Sequence, residues 1–124
     1  MQTSEQNSKE SHSNVMKIST IEQFDSMLTL NDKVIVDFYA EWCKPCKKLS
    51  PIFNEYASNT DFHDIVFCSV DIDQNPDIAE QCEVLNLPTV LFYKTLENTD
   101  ELVGFNQTSL AQLDTKIKKL LYEK

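Results

Sequence analysis

Two cysteines, Cys43 and Cys46, stand three positions apart directly after the apolar run at residues 34–40. If the segment opens a helix, residues three apart face each other across one turn, so the two thiols can close a small disulfide. Pro45 fits a first helical turn, where its missing N–H costs nothing. The positive N-terminus of a helix also favours a thiolate on Cys43. The spacing therefore predicts a centre for dithiol/disulfide exchange.

A zinc site is the alternative interpretation of the same pair, and it requires two further ligands at suitable spacing. The other cysteines, Cys68 and Cys82, are separated by 13 residues and fall on a predicted strand and a predicted helix. Redox chemistry is therefore favoured, with Cys43 as the exposed nucleophile and Cys46 as the resolving thiol one turn deeper. We expect Cys68 and Cys82 to pack in the core, with a regulatory disulfide or a modified thiol as alternatives.

Asp37 is the third group that could take part in this chemistry. It lies within the apolar run at residues 34–40, where burying an unpaired carboxylate is costly. Burial raises the pKa of a carboxyl group, so Asp37 is a candidate proton acceptor near pH 7. Alternatively, the strand lies at a sheet edge and Asp37 faces water. The continuous apolar character of the strand favours the buried position.

The elements that must position these groups follow the order β-α-β-α-β-α-β-β-α. Hydrophobic periodicity and turn signals predict strands near residues 15–18, 34–40, 65–70, 89–93 and 101–103, and helices from residues 21, 43, 76 and 108. Ser19 and Glu22 form a predicted capping box for the first helix. Asn98 is predicted to supply a positive φ in the hairpin turn. The order predicts an α/β fold with a mixed central sheet and helices on both faces.

Composition limits the class of protein. The 124 residues, 41% of them hydrophobic, predict one domain at residues 15–124 after a disordered polar tail at residues 1–14. The net charge of −9 argues against nucleic acid or an anionic membrane as a partner. The apolar runs are too short to span a bilayer, and all 11 basic residues are lysines, unlike an arginine-rich transit peptide. We therefore expect a cytoplasmic protein.

The block at residues 36–47, Val-Asp-Phe-Tyr-Ala-Glu-Trp-Cys-Lys-Pro-Cys-Lys, resembles the active-site block of the thioredoxin family. Lys44 stands where glycine is usual in that family. Further points of resemblance are Pro51 and the segments 70–73, 87–89 and 103–104. The segment 78–84 is more similar to eukaryotic cytosolic thioredoxins than to bacterial ones. The resemblance extends from about Val15 to the C-terminus.

This resemblance implies the thioredoxin fold and the reduction of protein disulfides, with a role in cellular redox homeostasis. It assigns Asp37 to the deprotonation of Cys46, and it places a cis-proline loop, Leu87-Pro88, against the cysteine pair. The substrate would contact that loop and a rim formed by Trp42, Lys44 and Pro45. Bacterial thioredoxins often place a lysine near the buried aspartate, at a position that Ser69 occupies here.

The resemblance also implies how electrons reach the site. No bound cofactor and no metal are expected. NADPH would recharge the disulfide indirectly through a thioredoxin reductase, and peroxiredoxin or ribonucleotide reductase would be typical substrates of a monomeric protein.

Two other functions remain open. A glutaredoxin-like or peroxidase-dedicated oxidoreductase would use the same chemistry with another electron donor. The glutaredoxin version is weakened because glutathione-binding loops in that family use paired glycines, whereas this chain has only Gly104. A non-enzymatic scaffold subunit with this fold is the second alternative. The presence of Cys43, Cys46, Asp37 and Pro88 counts against it.

Overall fold

A computed structural model of the chain describes residues 14–123. The expected disordered tail lies outside the described residues except for Asn14. The described residues form five strands, β1 (Val15–Ile18), β2 (Lys33–Tyr39), β3 (Val66–Asp71), β4 (Thr89–Lys94) and β5 (Glu97–Val103). The helices are α1 (Ile21–Leu30), α2 (Lys44–Ser58), α3 (Pro76–Gln81) and α4 (Gln107–Tyr122), with a short 3-10 turn at Thr60–Phe62.

The strands form one mixed sheet in the order β1-β3-β2-β4-β5. Strands β1, β3 and β2 run parallel, whereas β4 and β5 are antiparallel to their neighbours. The predicted mixed sheet is therefore confirmed. β2 occupies the centre, and its residues 34–38 are all buried. That position accounts for the apolar run in its sequence, because a strand covered on both faces has no side open to water.

Helices cover both faces of the sheet, as expected. One core cluster joins the sheet to α2 and α4, and it contains Phe53 and Phe67 with their rings edge-on at 5.4 Å. The other cluster joins the sheet to α1 and α3. Alternate β2 residues serve the two clusters, so Ile35 packs under α2 and α4 while Val36 packs on the opposite face. By the same alternation, Asp37 points to the face that α2 covers.

The cap of α1 differs from the prediction. Thr20, not Ser19, is the N-cap, and its side chain accepts a hydrogen bond from the backbone N–H of Gln23 at 3.0 Å. The side-chain oxygen of Gln23 accepts from the backbone N–H of Ser19 at 2.7 Å. The predicted Ser19–Glu22 box is thus wrong by one residue. Ser19–Glu22 and Thr20–Gln23 both have the three-residue spacing of a capping box, so sequence alone does not distinguish them.

The hairpin between β4 and β5 also differs from the prediction. The positive φ angles belong to Thr95 (49°) and Leu96 (72°), not to Asn98. A two-residue turn with both φ values positive matches the twist of the flanking strands, which explains why β5 begins at Glu97. Asn98 instead donates from its side chain to the carbonyl of Phe92 at 3.1 Å, next to a shift in strand register.

None of the helices within residues 14–123 is both long enough and apolar enough to cross a bilayer.

Replacing the observed cap separates the two capping interpretations. Thr20→Ala should lower the free energy of unfolding by about 1 kcal/mol, because the N–H of Gln23 loses its acceptor. Ser19→Ala is the matched control and should change it by less than about 0.5 kcal/mol. Urea unfolding of the two variants makes the comparison, and a larger loss in Ser19→Ala would contradict the observed cap.

Candidate active site

Cys43 and Cys46 are joined by a disulfide bond at the start of α2. Their Cα atoms are 5.3 Å apart, a separation that one helical turn provides. Cys43 is the N-cap, and the backbone N–H of Cys46 donates to its sulfur at 3.2 Å. Lys44 and Pro45 complete the first turn without an acidic residue. After reduction, this N–H and the helix N-terminus stabilise a thiolate on Cys43.

The two cysteines differ in the side from which they can be reached. Both are buried, at 5% exposure for Cys43 and 3% for Cys46, so the expected exposure of Cys43 is not found in this disulfide form. Cys43 borders an outer groove at the surface, whereas Cys46 borders an inner cavity beside Asp37. The two cysteines therefore differ in the space that each one borders and not in the exposed fraction of the side chain.

Asp37 is buried in the central strand with 4% exposure. It lies beside Ser69 of β3 and Val90 of β4, which excludes the alternative of a water-facing edge strand. Its Oδ1 atom has no hydrogen-bond partner among residues 14–123. Burial raises the pKa of this carboxyl group from 3.8 to about 7. Asp37 can therefore gain or lose a proton near neutral pH.

The inner cavity brings Asp37 and Cys46 together. Its volume is about 340 Å³, and exposed residues such as Lys47 and Ser50 form part of its wall. Ser69 also lines it, and Lys17 stands next to Ser69 in the register of β1 and β3. A cavity of this size that contains polar groups such as Asp37 and Ser69 has room for water beside them. A proton can therefore pass between Cys46 and Asp37 through water without a direct contact.

The outer groove contains most of the side chains that the resemblance assigned to substrate binding. It has a volume of about 480 Å³, and its lining includes Trp42, Cys43, Lys44, Pro45 and Leu87. The other lining residues, which sequence reasoning did not identify, are Ile72, Val84, Leu85 and Asn86. Leu85 is 88% exposed. Residues 72 and 84 belong to segments that carry the family resemblance, and residues 85–86 directly precede the Leu87–Pro88 loop, but only the fold shows that all four line this groove.

The Leu87–Pro88 peptide bond is cis, as the resemblance implies. Pro88 itself is buried, and its carbonyl accepts a hydrogen bond from the N–H of Gly104 at 2.8 Å. Gly104 adopts a φ of +86°, a conformation that glycine reaches without steric cost. This bond links the proline loop to the end of β5 and fixes one wall of the site.

Trp42 depends on a residue that sequence reasoning did not place in the site. Its side chain is 68% exposed, yet its Nε1–H donates to the Oδ2 atom of Asp73 at 2.9 Å. This hydrogen bond holds the exposed indole in a defined orientation at the rim of the outer groove. The two residues are 31 positions apart, so only the fold reveals their contact.

The remaining cysteines are free. Cys68 is fully buried in the core, and burial raises the pKa of its thiol to about 12. Cys82 is half-buried, with its sulfur 3.6 Å from the hydroxyl oxygen of Tyr93, and burial raises its thiol pKa as well. Within residues 14–123, no three histidine, cysteine or acidic side chains cluster as a metal site would require.

Dithiol/disulfide exchange is the chemistry that this arrangement supports, since one cysteine borders a surface groove and the other borders a cavity that also contains the Asp37 carboxyl group. The thioredoxin family model matches residues 15–119. The thioredoxin of Coprinus comatus is 38% identical over 102 residues, which cover 82% of this chain and 96% of that protein.

Solved structures agree with these sequence matches. The structure of Plasmodium falciparum thioredoxin has a TM-score of 0.77 at 36% identity, covering 88% of this chain and 100% of that one. A structure concerned with thiol resolution in the yeast mitochondrial 1-Cys peroxiredoxin via glutathione/thioredoxin systems has a TM-score of 0.77 at 33% identity, covering 87% and 99%. The chain belongs to the thioredoxin family. It is a protein-disulfide oxidoreductase that acts by dithiol exchange through its Cys-Lys-Pro-Cys motif.

The raised pKa of Asp37 predicts how stability depends on pH. Between pH 4 and 7 the folded protein retains a proton that the unfolded chain has released, so stability falls as the pH rises through this interval. Asn cannot ionise and avoids this loss. Asp37→Asn should therefore stabilise the oxidised protein at pH 8 by about 4 kcal/mol, and by little at pH 4.

Urea unfolding of the oxidised protein at both pH values tests this expectation. Asp61→Asn removes the same charge from an exposed position and serves as the control. Equal stability of wild type and Asp37→Asn at pH 8 would show that the carboxylate is not strained by burial.

Proposed function

We propose that this protein reduces disulfides of other proteins in the cytoplasm as a monomer, and that thioredoxin reductase restores its dithiol at the expense of NADPH. The observation that carries the proposal is the Cys43–Cys46 disulfide between an outer groove and the cavity of Asp37. In this cycle Cys43 is the nucleophile, Cys46 resolves the intermediate, and Asp37 accepts its proton.

The first step is an attack by the Cys43 thiolate on one sulfur of a substrate disulfide bound in the outer groove. The substrate S–S bond breaks, a bond forms between Cys43 and the substrate, and the other substrate sulfur leaves as a thiolate. Trp42 and Leu87 supply apolar walls for the substrate. The backbone next to Pro88 is available to pair with an extended substrate segment.

The second step releases the substrate. Asp37 takes the proton of the Cys46 thiol through the inner cavity, and the new thiolate attacks the sulfur of Cys43. The mixed disulfide breaks, the second substrate sulfur leaves as a thiolate, and the Cys43–Cys46 disulfide forms. Two electrons have then passed from this protein to the substrate. With a pKa of about 7, the Asp37 carboxyl group can accept the proton and later return it to water.

Family membership supports the proposed partners. A reductase that uses NADPH is the electron donor implied by resemblance to the thioredoxin family. Peroxiredoxins and ribonucleotide reductase are the proposed substrates, and the yeast structure concerned with a 1-Cys peroxiredoxin supports the first of them. The free thiols of Cys68 and Cys82 favour a reducing compartment such as the cytoplasm.

Insulin reduction tests the function and separates the electron donors. We expect rapid reduction with NADPH and thioredoxin reductase, and little with glutathione, NADPH and glutathione reductase. Cys43→Ser and Cys46→Ser should both abolish turnover. Only Cys46→Ser should accumulate a covalent adduct with the substrate, visible on a non-reducing gel. Preference for the glutathione system would indicate a glutaredoxin-like protein, and no turnover with either donor would favour a scaffold.

The role of Asp37 predicts a pH-dependent release step. A mixed disulfide formed at acid pH and shifted rapidly to pH 6–8 should release its substrate with a midpoint near pH 7. Asp37→Asn should lose this midpoint and slow release at pH 7.5 about a hundredfold, the usual size of a general-base contribution. Stopped-flow mixing measures the rate. An unchanged profile in Asp37→Asn would remove this residue from the mechanism.

A further inference from the structure

A second groove lies on the other side of the cysteine motif from Trp42. It has a volume of about 330 Å³, and its residues are Lys44, Pro45, Lys48, Phe105, Asn106, Gln107 and Leu110. We call it the lysine groove. Lys44 and Lys48 are one helical turn apart and belong to α2, whereas the other wall begins α4. No carboxylate is among its lining residues.

The two ammonium groups of the lysine groove are available to a ligand. Lys44 and Lys48 are exposed, and neither takes part in an ion pair within the described part of the chain. The first turn of α2 contains no acidic residue that would neutralise them. Both charges therefore remain open to a partner.

The other wall of the groove is held in place. Asn106 caps α4 by accepting from the N–H of Ser109 at 2.9 Å, and Ser109 accepts from the N–H of Asn106 at 2.7 Å. Phe105 packs against the core cluster under α2 and α4. Apolar side chains, an amide and two cations thus form a surface of defined shape.

The lysine groove adjoins the groove at Cys43, because Lys44 and Pro45 line both. A polypeptide joined to Cys43 can therefore reach the lysine groove across these two residues. Lysines are the only charged side chains that line either groove, Lys44 in both and Lys48 in the lysine groove.

The local positive charge contrasts with the whole chain, which has a net charge of −9. A substrate segment rich in carboxylates is repelled by the net negative charge of the chain and attracted by Lys44 and Lys48, so this contrast favours binding at the lysine groove. A basic segment is attracted by the net negative charge of the chain and repelled by Lys44 and Lys48, so it is drawn away from the site.

We propose that the lysine groove binds acidic residues that flank the disulfide of a substrate protein, so that this protein prefers disulfides in acidic segments. Lys44 and Lys48 pair with the carboxylates, and Phe105 and Leu110 contact the apolar parts of the segment. This inference rests on the proposed function, because the groove serves a substrate held at Cys43.

Three peptides with the same internal disulfide test the preference, with the flanking residues all Glu, all Gln or all Lys. The protein is reduced, freed of reductant, and mixed with each peptide, and the second-order rate of disulfide loss is measured by chromatography. At 20 mM salt we expect the Glu peptide to react about tenfold faster than the Gln peptide, or about threefold for each lysine. The Lys peptide should be slowest, and 0.5 M salt should remove most of the difference.

Variants locate the effect. Lys44→Gln together with Lys48→Gln should bring the Glu-to-Gln rate ratio close to one, and Lys48→Gln alone should lower it about threefold. The matched control is Lys118→Gln together with Lys119→Gln, which removes the same charge near the end of α4 and should keep the ratio. Lys44 is also adjacent to Cys43, so its substitution can change the reactivity of the Cys43 thiolate. Such a change alters the rates of all three peptides together and cancels in the Glu-to-Gln rate ratio.

The possible outcomes distinguish the two proposals. Equal rates for the Glu and Gln peptides with wild type would overturn the acidic preference while leaving disulfide reduction intact. A ratio that survives in the Lys44/Lys48 double variant, or that falls equally in the Lys118/Lys119 control, would overturn the assignment to this groove. Failure to reduce any peptide would contradict the proposed function itself.

Discussion

The structure depends on one constraint, which is that β2 must be covered on both faces. Its residues 34–38 are buried, so α2 and α4 have to pack on one side of the sheet and α1 and α3 on the other. The chain leaves the end of this covered strand and enters α2 within a few residues, at Cys43. The cysteine pair therefore directly follows a fully covered strand, and Cys43 and Cys46 pack with Ala40 in one buried cluster.

Because β2 is covered on both faces, a charged Asp37 is energetically costly, and the same burial brings the pKa of its carboxyl group near neutral pH. A carboxyl group in the middle of a covered strand is largely shielded from bulk water, and its Oδ1 has no partner within residues 14–123. Folding thus yields a group with a pKa of about 7 where an exposed aspartate would be fully ionised. Burial alone accounts for the raised pKa of Asp37, so neither Ser69 nor a nearby lysine is needed to explain it.

Local patterns in the sequence predicted the central strand, the cysteine pair and the amphipathic helices. They failed where two solutions share a pattern, as at Thr20 and Ser19, or where the usual signal is missing, as in the turn at Thr95 and Leu96, which lacks glycine. The cis bond at Pro88 followed from the family resemblance and not from the residues. The contacts of Trp42 and the lysine groove join segments far apart in the chain, so no local pattern could reveal them.

Cys43 and Cys46 border two different spaces. In the proposed cycle, this arrangement separates the path of the substrate from the path of the proton. Substrate in this cycle arrives and leaves through the outer groove beside Cys43. The cavity beside Cys46 has its own exposed rim at Lys47 and Ser50, and it shares no lining residue with the outer groove. In that cycle, electrons and protons therefore move by separate routes, the electrons through Cys43 and the proton through the cavity of Asp37.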